Sequence, residues 1–72
     1  MRIHDQYELD FGTDVVEVRR TDRTGPGGHP VYADDTGIIL AEISDRGEVR
    51  MLASGGHQDP AARVRARPVQ PH

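Results

Sequence analysis

The sequence predicts an all-β fold, a small antiparallel meander of four to five strands that is either flat or curled into a small barrel. Apolar and polar residues alternate with a period of two from Asp5 to Phe11, which is typical of a half-buried strand. The later apolar runs are short, rich in β-branched residues and separated by turn residues. The chain has 72 residues, which is enough for one core and for one domain.

The first two strands are predicted at residues 5–11 and 15–21, with turn residues between them. Two pairing registers fit this hairpin. A two-residue turn places Glu8 opposite Glu17, whereas a four-residue loop places Glu8 opposite Arg19. Because like charges on directly opposite positions are destabilising, we predict the second register.

Gly and Pro crowd residues 21–30, so this segment is predicted to be a ten-residue loop. A short strand follows at residues 31–33, and Asp and Gly make a turn at residues 34–37. The most apolar run of the chain, Ile38 to Ile43, is too short for a typical helix and is predicted to be a strand.

The best-supported local prediction is the hairpin that turns at Gly47. A three-residue loop commonly places its third residue in the left-handed region, which glycine adopts without steric cost. This turn fixes a register that places apolar residues opposite one another and Glu42 opposite Arg50 as an ion pair. The predicted pairs are Ile43 with Val49, Glu42 with Arg50, Ala41 with Met51, Leu40 with Leu52 and Ile39 with Ala53.

Leu40 and Leu52 fall on the second face of this hairpin, where a fully solvated sheet would carry polar residues. The face is therefore expected to be covered by the C-terminal tail, by closure of a barrel or by another subunit. We take Leu40 and Leu52 as a candidate binding surface for a protein partner or for self-association.

Composition divides the chain into a small β domain at residues 1–58 and a tail at residues 59–72. The domain has six Arg against eleven acidic residues, and the tail has three Arg against one Asp. The tail carries few residues to bury, and the prolines at positions 68 and 71 prevent a long strand or helix, so we predict that it is disordered. Val64 and Ala66 alternate with arginines, which leaves an added edge strand as the alternative.

Arg63, Arg65 and Arg67 of the tail are candidate contacts for phosphate or nucleic acid. The acidic domain and the scarcity of aromatic residues for base stacking argue against a nucleic-acid partner. His29 and His57 each follow a glycine, and with Asp59 they form a candidate metal site, because imidazole and carboxylate are common metal ligands. Their spacing matches no established metal motif, so the expectation is that no cofactor is bound, with a metal as the open alternative.

Catalytic groups are scarce, because the chain has no Cys and its serines lie in turn-like segments without an evident base. A pocket of roughly 300 Å³ is also difficult to build in one domain of this size. Whether the protein is an enzyme stays open, and a non-enzyme is favoured. The N-terminus has no apolar segment of a signal peptide, so a cytoplasmic location without membrane association is expected.

Residues 19–25, 28–32 and 43–48 resemble a small uncharacterised family of actinobacterial proteins, and the similarity covers most of the globular part. The resemblance implies no activity. The leading hypothesis is a small non-enzymatic protein-binding or accessory module that acts through a sheet face or edge as a homo-oligomer. The alternatives are a small metal-dependent or interface-built enzyme that uses His29 and His57, and a nucleic-acid accessory protein that acts through the Arg tail.

Overall fold

The computed structural model describes residues 4–12, 14–53 and 64–69, and these form one six-stranded sheet without any helix. The strands are β1 (Gln6–Asp10), β2 (Val15–Thr24), β3 (Pro30–Ala33), β4 (Leu40–Ile43), β5 (Val49–Ala53) and β6 (Arg65–Pro68). All neighbours pair antiparallel in the order β5-β4-β3-β2-β1-β6. The predicted all-β antiparallel class is confirmed, and the sheet curls into a half-barrel. Within the described residues, no helix is long and apolar enough to cross a membrane.

The inner face of the half-barrel holds one hydrophobic core. Its buried members are Tyr7, Leu9, Phe11, Val18, Tyr32, Ile39, Ala41 and Ile43. Partly exposed side chains that pack against this core are Val16, Val49, Met51, Val64 and Ala66. Four of these five belong to β5 or to the segment that contains β6, so burial is least complete at the two edges of the sheet.

The β1–β2 hairpin adopts the register that the charge argument rejected. Glu8 lies opposite Glu17, so the predicted pairing of Glu8 with Arg19 is wrong. Each carboxylate has another partner, because Gln6 Nε2 donates a hydrogen bond to Glu17 Oε1 (2.9 Å) and Arg67 lies 3.6 Å from Glu8. The contacts with Gln6 and Arg67 offset the repulsion between Glu8 and Glu17. The charge argument overestimates this repulsion because it considers only the two paired strands.

β2 is longer than predicted and ends at Thr24, so the irregular part of the loop shrinks to residues 25–29. A register shift between Arg20 and Thr24 interrupts its pairing with β3. Thr21 Oγ1 donates to the carbonyl of Val31 across this irregularity, and the N–H of Gly25 donates to the carbonyl of His29. The side-chain bond and the closing backbone bond hold the extended strand end against β3.

The β4–β5 hairpin confirms the predicted turn, with Gly47 at φ +81° and the N–H of Ser44 bonded to the carbonyl of Glu48. The first three predicted pairs, from Ile43–Val49 to Ala41–Met51, are also confirmed. The register then shifts by one residue, so Leu40 pairs with Ala53 instead of Leu52. The pairings of Leu40 with Leu52 and of Ile39 with Ala53 are therefore wrong, because a β-bulge adds one residue to β5.

Residues 59–72 were expected to be disordered. For Arg65–Pro68 this expectation is wrong, because these residues form β6 along β1. Ala66 lies opposite Leu9 and, with Val64, packs against the core. The added-edge-strand alternative is thus the observed one, and it raises the strand count above the four to five predicted. Two apolar side chains suffice here because β1 offers a complete row of unpaired backbone groups.

Candidate binding sites

The predicted apolar surface at Leu40 and Leu52 is divided in the structure. Leu40 is half-buried, whereas the side chain of Leu52 is 40% exposed. Because the bulge separates the two residues, they do not face each other across the ladder. Leu52 therefore remains as an exposed apolar side chain on the edge strand β5.

The loop between β2 and β3 covers the neighbouring part of the same sheet face. Glu42 on β4, for which the sequence predicts an ion pair with Arg50, is only 3% exposed. The two residues do lie opposite each other, but the ion pairs among the described residues involve other side chains. The backbone N–H of His29 instead donates a hydrogen bond to Glu42 Oε2 (3.0 Å).

Two glycines allow this loop to pass close over the carboxylate. A Cβ at Gly25 would lie 2.6 Å from Glu42 Cδ, and a Cβ at Gly27 would lie 2.8 Å from Glu42 Oε2. The Gly-rich segment that the sequence marks as a loop is thus a close-fitting cover for one buried acidic side chain. Sequence reasoning missed this role of Glu42, although a single charge inside the most apolar run was a usable signal.

A cavity of about 280 Å³ lies on the inner side of the same loop. Its lining residues are Tyr7, Gly28, His29, Pro30, Tyr32, Ile43, Ser44 and Asp45. The volume approaches the roughly 300 Å³ at which ligand pockets begin. The expectation that a domain of this size makes such a pocket difficult to build is therefore too strict, because curling of the sheet leaves space beneath the loop.

Two tyrosines form the aromatic wall of this cavity. The rings of Tyr7 and Tyr32 meet edge to face with centroids 5.1 Å apart, and the Tyr32 hydroxyl donates to the carbonyl of His4. Burial raises the pKa of Tyr7, and nearby Asp45 raises it further. Burial also raises the pKa of Tyr32 to about 12. Both hydroxyls are therefore protonated at neutral pH.

The candidate metal site is only partly described. His29 lies in the loop with its N–H bonded to Glu42, while His57 and Asp59 lie outside the described residues. Within the part of the chain that the structure describes, no three or more His, Asp or Glu side chains are grouped to hold a metal ion.

The two tail arginines that the structure describes, Arg65 and Arg67, lie beside β1. Arg67 lies 3.6 Å from Glu8 and 3.8 Å from Asp10, and Arg65 lies opposite Asp10 in the ladder. Arg63 is outside the described residues. Acidic neighbours thus partly neutralise the positive charge that a phosphate contact would need.

Fold and sites define a class, the small all-β domain made of one curled antiparallel sheet with a pocket under a Gly-rich loop. Residues 1–70 match the model of DUF6296, a family of unknown function, and the chain belongs to that family. No curated protein and no solved structure shows significant similarity to the chain.

Proposed function

We propose that this protein is a non-enzymatic binding module that recognises a protein partner through the outer edge of β5, with which no other described strand pairs, and that this partner is a second copy of the chain. The observation that carries the proposal is the state of β5. Its inward side chains Val49 and Met51 are only partly buried, and Leu52 is exposed beside them. A second copy would complete the burial that the half-barrel leaves unfinished.

The backbone of β5 is suited to strand addition. The bond between Ser44 and Glu48 closes the hairpin, and hydrogen-bonded pairs alternate with non-bonded pairs from there. Arg50 therefore directs its backbone groups to β4, whereas Val49 and Met51 direct theirs to the free edge. An unpaired row of N–H and C=O groups is a template for another strand.

An antiparallel two-fold pairing of β5 with its copy has one favourable register. With Met51 on the symmetry axis, Arg50 lies opposite Leu52 of the second copy, and Val49 lies opposite its Ala53. This arrangement keeps the two Arg50 side chains apart, which avoids a destabilising like-charge pair. Two paired five-residue strands bury less surface area than a standard interface. We therefore expect weak dimerisation, with a dissociation constant on the order of 10–100 μM.

Sedimentation equilibrium tests the proposal. It is measured on the unaltered chain and on the variants Leu52→Glu and Val15→Glu. Val15 is the matched control because it is also an exposed apolar strand residue, at 54%, but it lies on β2. Leu52→Glu should weaken dimerisation at least about tenfold, since it places a carboxylate in the interface. Val15→Glu should leave it unchanged. A chain that stays monomeric at millimolar concentration overturns the proposal.

Cysteine cross-linking checks the register, because the chain contains no Cys of its own. The double variant Arg50→Cys with Leu52→Cys should form an intermolecular disulfide under mild oxidation, since those positions face each other across the symmetry axis. Leu52→Cys alone should cross-link much more slowly. Equal rates for the two variants would contradict the register.

The proposal also includes the location and the source of the protein. We propose a cytoplasmic protein of actinobacteria that acts without a membrane and without nucleic acid. The ion pairs of Arg67 with Glu8 and Asp10 favour a structural role for β6 over phosphate binding. A fluorescence anisotropy titration with single-stranded DNA at low salt should show no saturable binding.

A further inference from the structure

The side chain of Glu42 is the most unusual polar group in the described part of the molecule. It is only 3% exposed, and its Oε2 accepts one hydrogen bond, from the N–H of His29. Its Oε1 is buried and has no hydrogen-bond partner among the residues that the structure describes. A buried carboxylate oxygen is normally paired with a donor, and a buried carboxylate with a cation.

A cavity of about 300 Å³ adjoins this carboxylate on the outer side of the loop. Glu42, Glu48, Ser44, His29, Gly27 and Arg50 contribute to its wall, together with Val49. Two acidic side chains thus face one space, while Arg50 is exposed and lies beyond 4.0 Å of both. The cavity therefore offers acceptors and negative charge, and it is large enough for a small organic ion.

We propose that this cavity binds an organic cation with N–H donors, a primary ammonium or guanidinium group, which donates to the carboxylate of Glu42. The charge of such a group offsets the burial of the carboxylate, and its N–H groups supply the donor that Oε1 lacks. Glu48 adds a second acceptor near the cavity entrance. The proposal does not depend on self-association through β5.

Gly25 and Gly27 determine how the cation reaches the carboxylate. Oε1 lies under Gly25, where an added Cβ would come within 2.8 Å of it. Binding therefore requires a small displacement of the loop backbone, which the glycines permit. The amide signals of Gly27 and His29 should report this displacement directly.

The same chemistry has two sources, a free small amine and a Lys or Arg side chain of a protein. Titrations with methylguanidinium and with a Gly-Arg-Gly peptide distinguish them. If the free cation is the intended ligand, the peptide binds no better than methylguanidinium. A peptide that binds at least about tenfold more tightly identifies a protein side chain as the source.

The test is an NMR titration of the unaltered chain with methylguanidinium and with ethylammonium, followed through the backbone amide signals in ¹H–¹⁵N correlation spectra. We expect saturable shifts at Gly27 and His29 with dissociation constants on the order of millimolar, as is usual for so few non-hydrogen atoms. N-methylurea has nearly the shape of methylguanidinium but no charge, and tetramethylammonium has the charge but no N–H. Neither control should produce saturable shifts.

Glu42→Gln should weaken the binding of both cations at least about tenfold, and Glu48→Gln should weaken it less. The comparison of cations with their controls on the unaltered chain needs no variant, so it decides the matter even if Glu42→Gln fails to fold. Repeating the titration on Leu52→Glu separates this site from the β5 interface. Absence of saturable shifts, equal binding of N-methylurea, or unchanged binding by Glu42→Gln would each overturn the proposal.

Discussion

The two edges of the sheet solve the problem of an unpaired strand in opposite ways. β6 carries Arg65, Arg67 and Pro68 in four residues, and Arg67 pairs with acidic side chains of β1. Charges and proline at an edge discourage further strand addition. β5 has no proline and a single charge, and its inward side chains are only half covered. The difference teaches that β6 carries the charges and proline that discourage strand addition, whereas β5 lacks proline and has only one charge, as the proposed pairing with a second copy requires.

The largest expected effect comes from placing a charge on each edge strand. Ala66→Asp puts a carboxylate against the core beside Leu9 and should lower the free energy of unfolding by about 2–3 kcal/mol. Ala53→Asp on β5 is the control, because Ala53 lies opposite Leu40 and is not among the residues that pack against the core; it should cost about 1 kcal/mol or less. Urea unfolding measures both. Equal losses would mean that β6 contributes no more to the core than the end of β5.

The next effect tests the turn that brings the two edges near each other. Gly47 has φ +81°, and a Cβ there would lie 3.8 Å from the carbonyl oxygen of Ala66, which is ordinary contact. The cost of Gly47→Ala should therefore be the backbone strain alone, about 1–2 kcal/mol in thermal unfolding. Gly47→Asn should recover part of it, because Asn tolerates this region better. A larger loss from Asn than from Ala would contradict this account.

A smaller, pH-dependent effect on stability is expected at Asp34. This residue lies in the turn that leads into β4, the strand that pairs with β5. Burial acts to raise the pKa of Asp34, but hydrogen bonds from Thr36, Ile39 and Gly37 lower it below its usual value. A lowered pKa in the folded state contributes stability above the unfolded pKa of about 3.9, and this is lost as the pH falls through the folded value.

Asp34→Asn should therefore cost about 1 kcal/mol at neutral pH, since the Thr36 and Ile39 bonds weaken. The difference from the unaltered chain should shrink as the pH falls below about 4. Chemical denaturation between pH 2 and 7 measures it. A difference that stays constant over this range would show that the charge of Asp34 is irrelevant to the turn.

The smallest effect is expected at the charges of β6. Arg67→Ala removes ion pairs of 3.6 and 3.8 Å between side chains that are largely exposed. Such pairs contribute about 0–0.5 kcal/mol, and salt should reduce even that. Urea unfolding at low and high salt provides the measurement. If Arg67→Ala also creates new self-association through β6, then this charge protects the edge, which sharpens the contrast with β5.

The sequence by itself determined the positions of the first five strands in outline, the antiparallel class and the Gly47 turn. These follow from local causes, namely residue alternation, β-branched composition and the left-handed backbone that glycine accepts. The register next to that turn was equally predictable, because turn geometry and face pattern agree there.

Only the tertiary structure decided the features that depend on a third element. Pairing of Glu8 with Glu17 is tolerated because β6 brings Arg67 beside Glu8, and Arg65–Pro68 form a strand because β1 offers its edge. The burial of Glu42 depends on a loop that approaches it from 13 residues away in sequence. Local pattern carries no information on such contacts, since they form only when the sheet curls and the loop folds across it.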